Sequence, residues 1–420
     1  MKKIYNLMII SPNPDGIYRT GEKVNFYPQA VIASVLVLDG KIRWKIIKNG
    51  IESVADGEFT TDIMDACASY TADEPCCLEC QMTFFPADGS DPVAAALGAA
   101  VDPFGIRPGL EAPADFDAFW DKQKKRLAAV PLKASLTPVK SGNFDCHDVK
   151  IDCVDNVPVS GLLMRSAATY KKKCPAVICL HGAGVKSARP ESAFAFIEQD
   201  FLALDINAHG LPNLMPPDFY SDKAGAALAG YNLRNFDSGD PAKVYFAGMF
   251  LRVKRAVDFM ASLPEWDGRN LILYGHSQGG FQCFAGAYLD GRVSAIAAGV
   301  PAGCDLGGIL AGRRSGWPLG DFSAFKNKPR APILKAAAYF DNANFAARIS
   351  VPGMFVVGLI DGACCASSVY AAYNNYAGPK SIITAPWMPH GAEPAINREL
   401  IKFVIAQAGK EEKGSVLGFQ

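Results

Sequence analysis

Asn270-Leu271-Ile272-Leu273-Tyr274-Gly275-His276-Ser277-Gln278-Gly279-Gly280 is a short apolar run, then a serine between glycines, followed at once by a helical pattern from Phe281 to Leu289. The order strand, tight turn, helix gives the G-x-S-x-G spacing a mechanical meaning. Small residues on both sides let the chain fold tightly and push the serine hydroxyl out above a sheet. The backbone N–H of Gln278, at the start of the helix, can then help hold a negative oxygen formed there. Ser277 reads as a nucleophile. The competing reading, a helix start merely capped by a serine, is disfavoured by the placement between a strand and a helix.

Moving outward, similar unbroken apolar runs recur at Pro175 to Leu180, Phe201 to Ile206, Ala295 to Val300, Met354 to Ile360 and Ser381 to Ala385. Runs without alternation suit strands buried on both faces of a parallel sheet. Helical patterns separate them, including Val244 to Leu263 and Glu393 to Ala408. The fold class is therefore α/β, a mostly parallel sheet with helices on both faces, and its site belongs at the carboxyl ends of the strands.

Three strand ends carry chemistry beyond Ser277. The run Met354 to Ile360 leads into Asp361, and the run Ser381 to Ala385 leads through Pro386-Trp387-Met388-Pro389 to His390. The order Ser277, Asp361, His390 is the chain order of the α/β-hydrolase triad: His390 takes and returns the serine proton, and Asp361 orients the imidazole. The third end is His181-Gly182-Ala183-Gly184, whose glycine-flanked Ala183 N–H is the second expected oxyanion donor. His181 is expected to hold that loop. With Asn207 and His209 of the polar loop Asp205 to Gly210, it forms the set of substrate-pocket candidates. His276 reads as a local packing residue. The segments 211 to 243 and 305 to 345 are expected to cover the site and restrict bulky substrates.

The first hundred residues have another habit. Strand-like stretches at Gly21 to Phe26, Ala30 to Leu38, Ile42 to Ile47 and Cys77 to Phe85, with a turn at Asn49-Gly50, follow one another at roughly ten-residue intervals, as in an immunoglobulin-like β-sandwich. Trp44 reads as one of its core residues. Residues 86 to 112, rich in Ala, Gly, Pro and Asp, have a linker's composition, and Asp115 to about Leu127 reads as a helix with Phe116, Phe119 and Trp120 on one face. The expected division is a sandwich over 1–100, linker and leading helix over 101–132, an α/β-hydrolase domain over 133–410, and a polar tail over 411–420.

Composition narrows the ligand. Lys plus Arg (42) equals Asp plus Glu (42), which argues against nucleic acid, and no stretch approaches the length of a membrane span. Met1-Lys2-Lys3 and the apolar run Ile4 to Ile10 resemble a secretory signal, but Ser11-Pro12 and strand-like sequence follow without a cleavage site, so a first strand in a cytoplasmic protein is expected. The twelve cysteines lie mostly in apolar runs and read as buried thiols; Cys67, Cys76, Cys77 and Cys80 lack a second ligand pair, and Cys364-Cys365 is not expected to form a vicinal disulfide. No metal or cofactor is expected.

Residues 112 to 408 resemble the acetyl xylan esterase and cephalosporin C deacetylase group, carbohydrate esterase family seven. The resemblance rests on Phe116-Asp117-Ala118-Phe119-Trp120 with Val130-Pro131-Leu132-Lys133, and on Arg255-Ala256-Val257-Asp258-Phe259 with Leu263-Pro264. It also rests on Gly275 to Gly280, Asp361, and Tyr370-Ala371-Ala372-Tyr373-Asn374. It implies a serine esterase that deacetylates small carbohydrates, with Ser277, Asp361 and His390 as triad and Gln278 and Ala183 as oxyanion donors. It also implies hexamers with inward-facing sites, a packing against which an added N-terminal sandwich weighs, so a homo-oligomer and a single chain both stay open. The chain departs from the family's pattern at Asn207-Ala208-His209, at Ala183 and at Gly391, all of which bear on the pocket rather than the triad. A general carboxylesterase or peptidase-like hydrolase is the alternative, and a non-catalytic carbohydrate-binding protein the rival of another class.

Overall fold

The apolar runs read from the sequence lie side by side in one nine-stranded sheet. Its order is Ala134–Val139, Asp145–Ile151, Val159–Arg165, Leu202–Ile206, Cys174–Leu180, Trp266–His276, Ala295–Gly299, Gly353–Gly358, Lys380–Ala385. The first three strands run antiparallel to their neighbours; from Leu202–Ile206 onward every pairing is parallel. This is a computed structural model describing residues 3–63, 65–140 and 144–411, with the side chains of residues 223 and 224 excepted. The expected polar tail falls, from residue 412 on, outside the described residues.

Side-chain alternation explains why these runs need no polar positions. Ala176, Ile178 and Leu180 enter the apolar cluster on one face of the sheet, while Val177 and Cys179 enter the cluster on the other. The first face is covered by the helices Phe116–Ala128, Tyr245–Ser262, Gln278–Leu289 and Ala366–Asn375, the second chiefly by Pro394–Gln407. On the first face Trp120 is fully buried and donates its indole N–H to the Tyr339 carbonyl at 3.1 Å. Arg255, also buried, donates to the Leu127 and Val130 carbonyls at 2.8 Å each. A cation on the carbonyls that end the leading helix satisfies acceptors the helix leaves open and opposes its dipole.

The N-terminal strands form a two-layered sandwich. One sheet holds Tyr5–Ile10, Lys23–Ile32, Val35–Leu36 and Ala68–Thr71; the other has the order Ile17–Tyr18, Val93–Val101, Cys76–Pro86, Gly40–Lys48, Glu52–Thr60. Residues of both sheets, among them Phe26, Ile46, Leu78 and Phe84, share one apolar cluster, against which Trp44 packs. The expected single strand Ala30 to Leu38 breaks at Ala33 and Ser34, whose φ of 48° and 68° turn the chain.

The linker-like composition of residues 86 to 112 is partly misleading. Val93–Val101 pairs antiparallel along its whole length with Cys76 to Phe84 and is a full strand of the sandwich. Its Ala-Gly composition looks like a linker's, yet it serves close approach: Gly98 lies against Leu359, where an added Cβ would come within 2.2 Å of the Leu359 Cβ. The true connection is shorter and anchored, since Asn374 donates to the carbonyls of Pro103 and Ile106 at 2.8 Å each.

Candidate active site

Ser277 sits between the strand Trp266–His276 and the helix Gln278–Leu289 with φ 56° and ψ −121°, a conformation strained for a side-chain-bearing residue. Its backbone is pinned on both sides: its N–H donates to the Gly299 carbonyl at 2.9 Å, and its carbonyl accepts from Phe281 and Ala302, each at 3.0 Å. The glycines of the motif are dictated by crowding. A Cβ at Gly279 would come within 2.0 Å of the Leu180 carbonyl oxygen, and one at Gly275 within 2.7 Å of the Gly279 backbone.

The three residues read from separate strand ends converge. His390 Nε2 is 3.0 Å from the Ser277 Oγ, and His390 Nδ1 is 2.8 Å from Asp361 Oδ2. Asp361 is buried, and its Oδ1 accepts from the Ala363 and Cys364 N–H groups at 2.8 and 2.7 Å. The carboxylate is thereby fixed with one oxygen left for the imidazole. That hydrogen bond raises the His390 pKa above the usual 6.5, against the opposing pull of partial burial. The arrangement can take a proton from Ser277 and hold the resulting imidazolium. Cys364 is buried in the same turn, and burial pushes its thiol pKa well up. Asp361, Cys364 and His390 each offer a ligand atom within 4.8 Å of the others, a spacing that the hydrogen bond between the carboxylate and the imidazole already accounts for. Cys364 and Cys365 are not joined by a vicinal disulfide.

Gln278 is the first residue of its helix, so its N–H has no acceptor in the helix's own ladder. Across from it runs the loop His181 to Gly184; Gly182 is close enough to Ser277 that a Cβ added there would lie 3.9 Å from the serine Cβ. Ala183 is exposed in that loop. Two side chains hold the loop. His181 Nε2 lies 2.8 and 2.9 Å from the two oxygens of the buried Asp205. Tyr231 accepts from the Gly184 N–H at 3.1 Å and donates to the Gln278 Oε1 at 2.6 Å.

The pocket candidates Asn207 and His209 are corrected by this geometry. Asn207 is buried, accepting from the His209 and Gly210 N–H groups and donating to Leu211 and Asn213. His209 Nε2 meets the Lys186 backbone and its Nδ1 accepts from Leu211 N–H, while burial drives its pKa down to about 4. Neither keeps a free polar atom for a ligand; both shape the loop below the site. His276 is likewise structural, its Nε2 2.7 Å from Asn397 Oδ1, and burial lowers its pKa. Of the two expected covering segments, 211 to 243 reaches the site through Tyr231, whereas much of 305 to 345, including Leu319, Ile333 and Phe340, enters the core. Tyr231 was not singled out from the sequence, and Cys364 only as half of an adjacent cysteine pair. Tyr231 stands in the patternless stretch Ala226 to Asn232, and the backbone N–H of Cys364 meets Asp361 through a turn that no spacing reveals.

The chain has similar relatives among known proteins and solved structures. The chain is similar to the acetyl esterase Axe7A of Xylanibacter ruminicola, 31% identical over 291 residues, which are 68% of this chain and 65% of that relative's length. The solved acetyl xylan esterase from Paenibacillus sp. R4 superposes with a TM-score of 0.64 at 26% identity, covering 72% of this chain and 98% of that one. Acetyl xylan esterase 1 from Thermoanaerobacterium sp. JW/SL YS485 shares the fold, with a TM-score of 0.64 at 22% identity over 73% of this chain and 97% of its own. The family model for acetyl xylan esterase matches residues 105–407, beginning just after the last sandwich strand. The chain belongs to the acetyl xylan esterase family.

Proposed function

We propose that the protein is a serine esterase that removes acetyl groups from hydroxyls of small carbohydrates such as acetylated xylo-oligosaccharides. The observation that carries this reading is the chain of contacts from Ser277 Oγ to His390 Nε2 at 3.0 Å and from His390 Nδ1 to Asp361 Oδ2 at 2.8 Å, on a strained turn in a member of this family. Ser277 Oγ attacks the acetyl carbonyl carbon while its proton passes to His390 Nε2. The oxyanion that forms is held by the N–H groups of Gln278 and Ala183. As the carbon–oxygen bond to the sugar breaks, His390 returns the proton to the departing sugar hydroxyl, leaving acetyl on Ser277. Water then attacks with His390 as base; acetate leaves and Ser277 recovers its proton. Asp361 keeps the imidazole tautomer with its proton on Nδ1 throughout.

An adjacent pair of thiols left unbridged, Cys364 and Cys365, fits a reducing, cytoplasmic setting; among the described residues no helix is long and apolar enough to cross a membrane. The decisive experiment is acetate release from acetylated xylo-oligosaccharides by the wild type and by Ser277→Ala, with peptide amides assayed in parallel. Release by the wild type alone supports the reading. Amidase activity exceeding deacetylation would replace it with a peptidase.

A further inference from the structure

We infer that the N-terminal sandwich is a brace for the acid and histidine loops, so that its strand Val93–Val101 and its turn at Asn49-Gly50 position Asp361 and His390 from outside the catalytic sheet. The inference rests on the triad reading above. Three separate contacts carry it. Gly98 donates its N–H to the carbonyl of Pro386 at 2.8 Å, four residues before His390. The same glycine presses on Leu359, two residues before Asp361; a Cβ there would meet the Leu359 Cβ at 2.2 Å and its carbonyl carbon and oxygen at 2.8 Å each. Gly16 closes on the same pair, with Pro386 at 2.8 Å and Leu359 at 3.2 Å from its ideal Cβ position.

The second grip is at the other end of the acid loop. Asn49, buried with φ 52°, accepts at its carbonyl from Arg314 N–H at 2.9 Å, while the Cβ position of Gly50 lies 3.1 Å from the Cys365 sulfur. The turn is itself rigid, since Asn49 exchanges two hydrogen bonds with the backbone of Cys77, at 2.7 and 3.0 Å. Asp361 thus lies between Leu359 and Cys365, both touched by the sandwich. A cavity of about 230 Å³ at this junction is lined from the sandwich by Gly50 and Glu79 and from the catalytic domain by Arg314 and Asp361. The absence of side chains at Gly16, Gly50 and Gly98 is what lets the brace come so close.

Gly98→Ala tests this. The added methyl must displace Leu359 or the strand, and a shift of order 1 Å at the triad costs about 100-fold in rate. The expected result is kcat lowered about 10- to 100-fold with KM nearly unchanged, and the acid limb of the pH–rate profile moved down toward the ordinary imidazole value as Asp361 loosens from His390. Ile46→Val, in the sandwich core and away from the interface, weakens the sandwich without touching the brace and should keep wild-type kcat and limb. If Gly98→Ala does not fold, Gly50→Ala, which strains the turn at φ 74° and presses Cys365 and Arg314 back by a few tenths of an ångström, should move the limb the same way with a smaller loss. The inference is overturned if the folded glycine variants keep the wild-type limb, or if Ile46→Val loses as much activity as they do. Active wild type that also survives Ser277→Ala would overturn the proposed function instead, whatever the glycine variants do.

Discussion

The two flanks of Ser277 are held by different means. On the oxyanion flank the support is side chains of the catalytic domain: His181 on Asp205, Tyr231 across Gly184 and Gln278, and Asn207 and His209 beneath them. On the acid flank it is largely backbone, with Asp361 fixed by the N–H groups of its own turn and that turn flanked by glycines of the sandwich. A donor array for a developing charge needs fixed dipoles, which buried hydrogen-bonded side chains provide. A histidine that must accept and return a proton needs a partner held at constant distance, which close backbone packing provides. The difference teaches that, among the described residues, the close glycine contacts of the sandwich gather on the acid flank, although the family match itself begins only at residue 105.

Substitutions should expose this asymmetry in graded fashion. Ser277→Ala removes the group both flanks serve and should lower kcat by roughly 10⁶-fold, with residual rate supplied by the oxyanion donors. Measured acetate release above that floor by more than a factor of about 100 would mean that another nucleophile acts. Asp361→Asn strikes the acid flank alone; it keeps the shape but holds the wrong imidazole tautomer, and about 10⁴-fold in kcat is the expected loss. Tyr231→Phe strikes the other flank at one remove, since the donors themselves stay. About 10-fold in kcat with unchanged KM is expected, less than the 10²–10³ that follows removal of a donor. A boronate that mimics the tetrahedral adduct should lose affinity in parallel. Unaltered boronate binding would show that Tyr231 only packs.

Much of this was legible in the sequence because the signals are local. The elbow, the apolar runs and the residues just past them follow from periodicity and turn chemistry, and in an open parallel sheet strand ends must lie near one another. What could not be read depends on partners far along the chain. Val93–Val101 looked like a linker because small residues that permit contact between two sheets have the composition of flexible chain. Asn207 and His209 looked like ligand-facing polar residues because sequence shows polarity but not direction; both turn inward to satisfy a loop. Tyr231 gave no signal at all, its role arising only where a patternless segment crosses Gly184.

Acidification should separate the flanks by sign. His390 must be neutral to act as base, and its pKa lies above 6.5, so activity falls as pH drops through that raised value while the fold is intact. Protonation there even favours the folded state, because the folded protein holds that proton more tightly than the unfolded chain. His209 runs the other way. Its pKa in the folded protein is about 4, against 6.5 when unfolded, so the unfolded chain binds the proton first and stability is present above pH 6.5 and lost as pH falls toward 4. A difference of that size corresponds to about 3 kcal/mol once both states are below their pKa values. Urea unfolding at pH 7, 5.5 and 4.5 should therefore show the loss, and His209→Gln, which cannot titrate, should flatten the slope by about one proton. An unchanged slope in His209→Gln would mean that the acid sensitivity arises elsewhere, and the oxyanion flank would lose its claim to be the side that acid undermines.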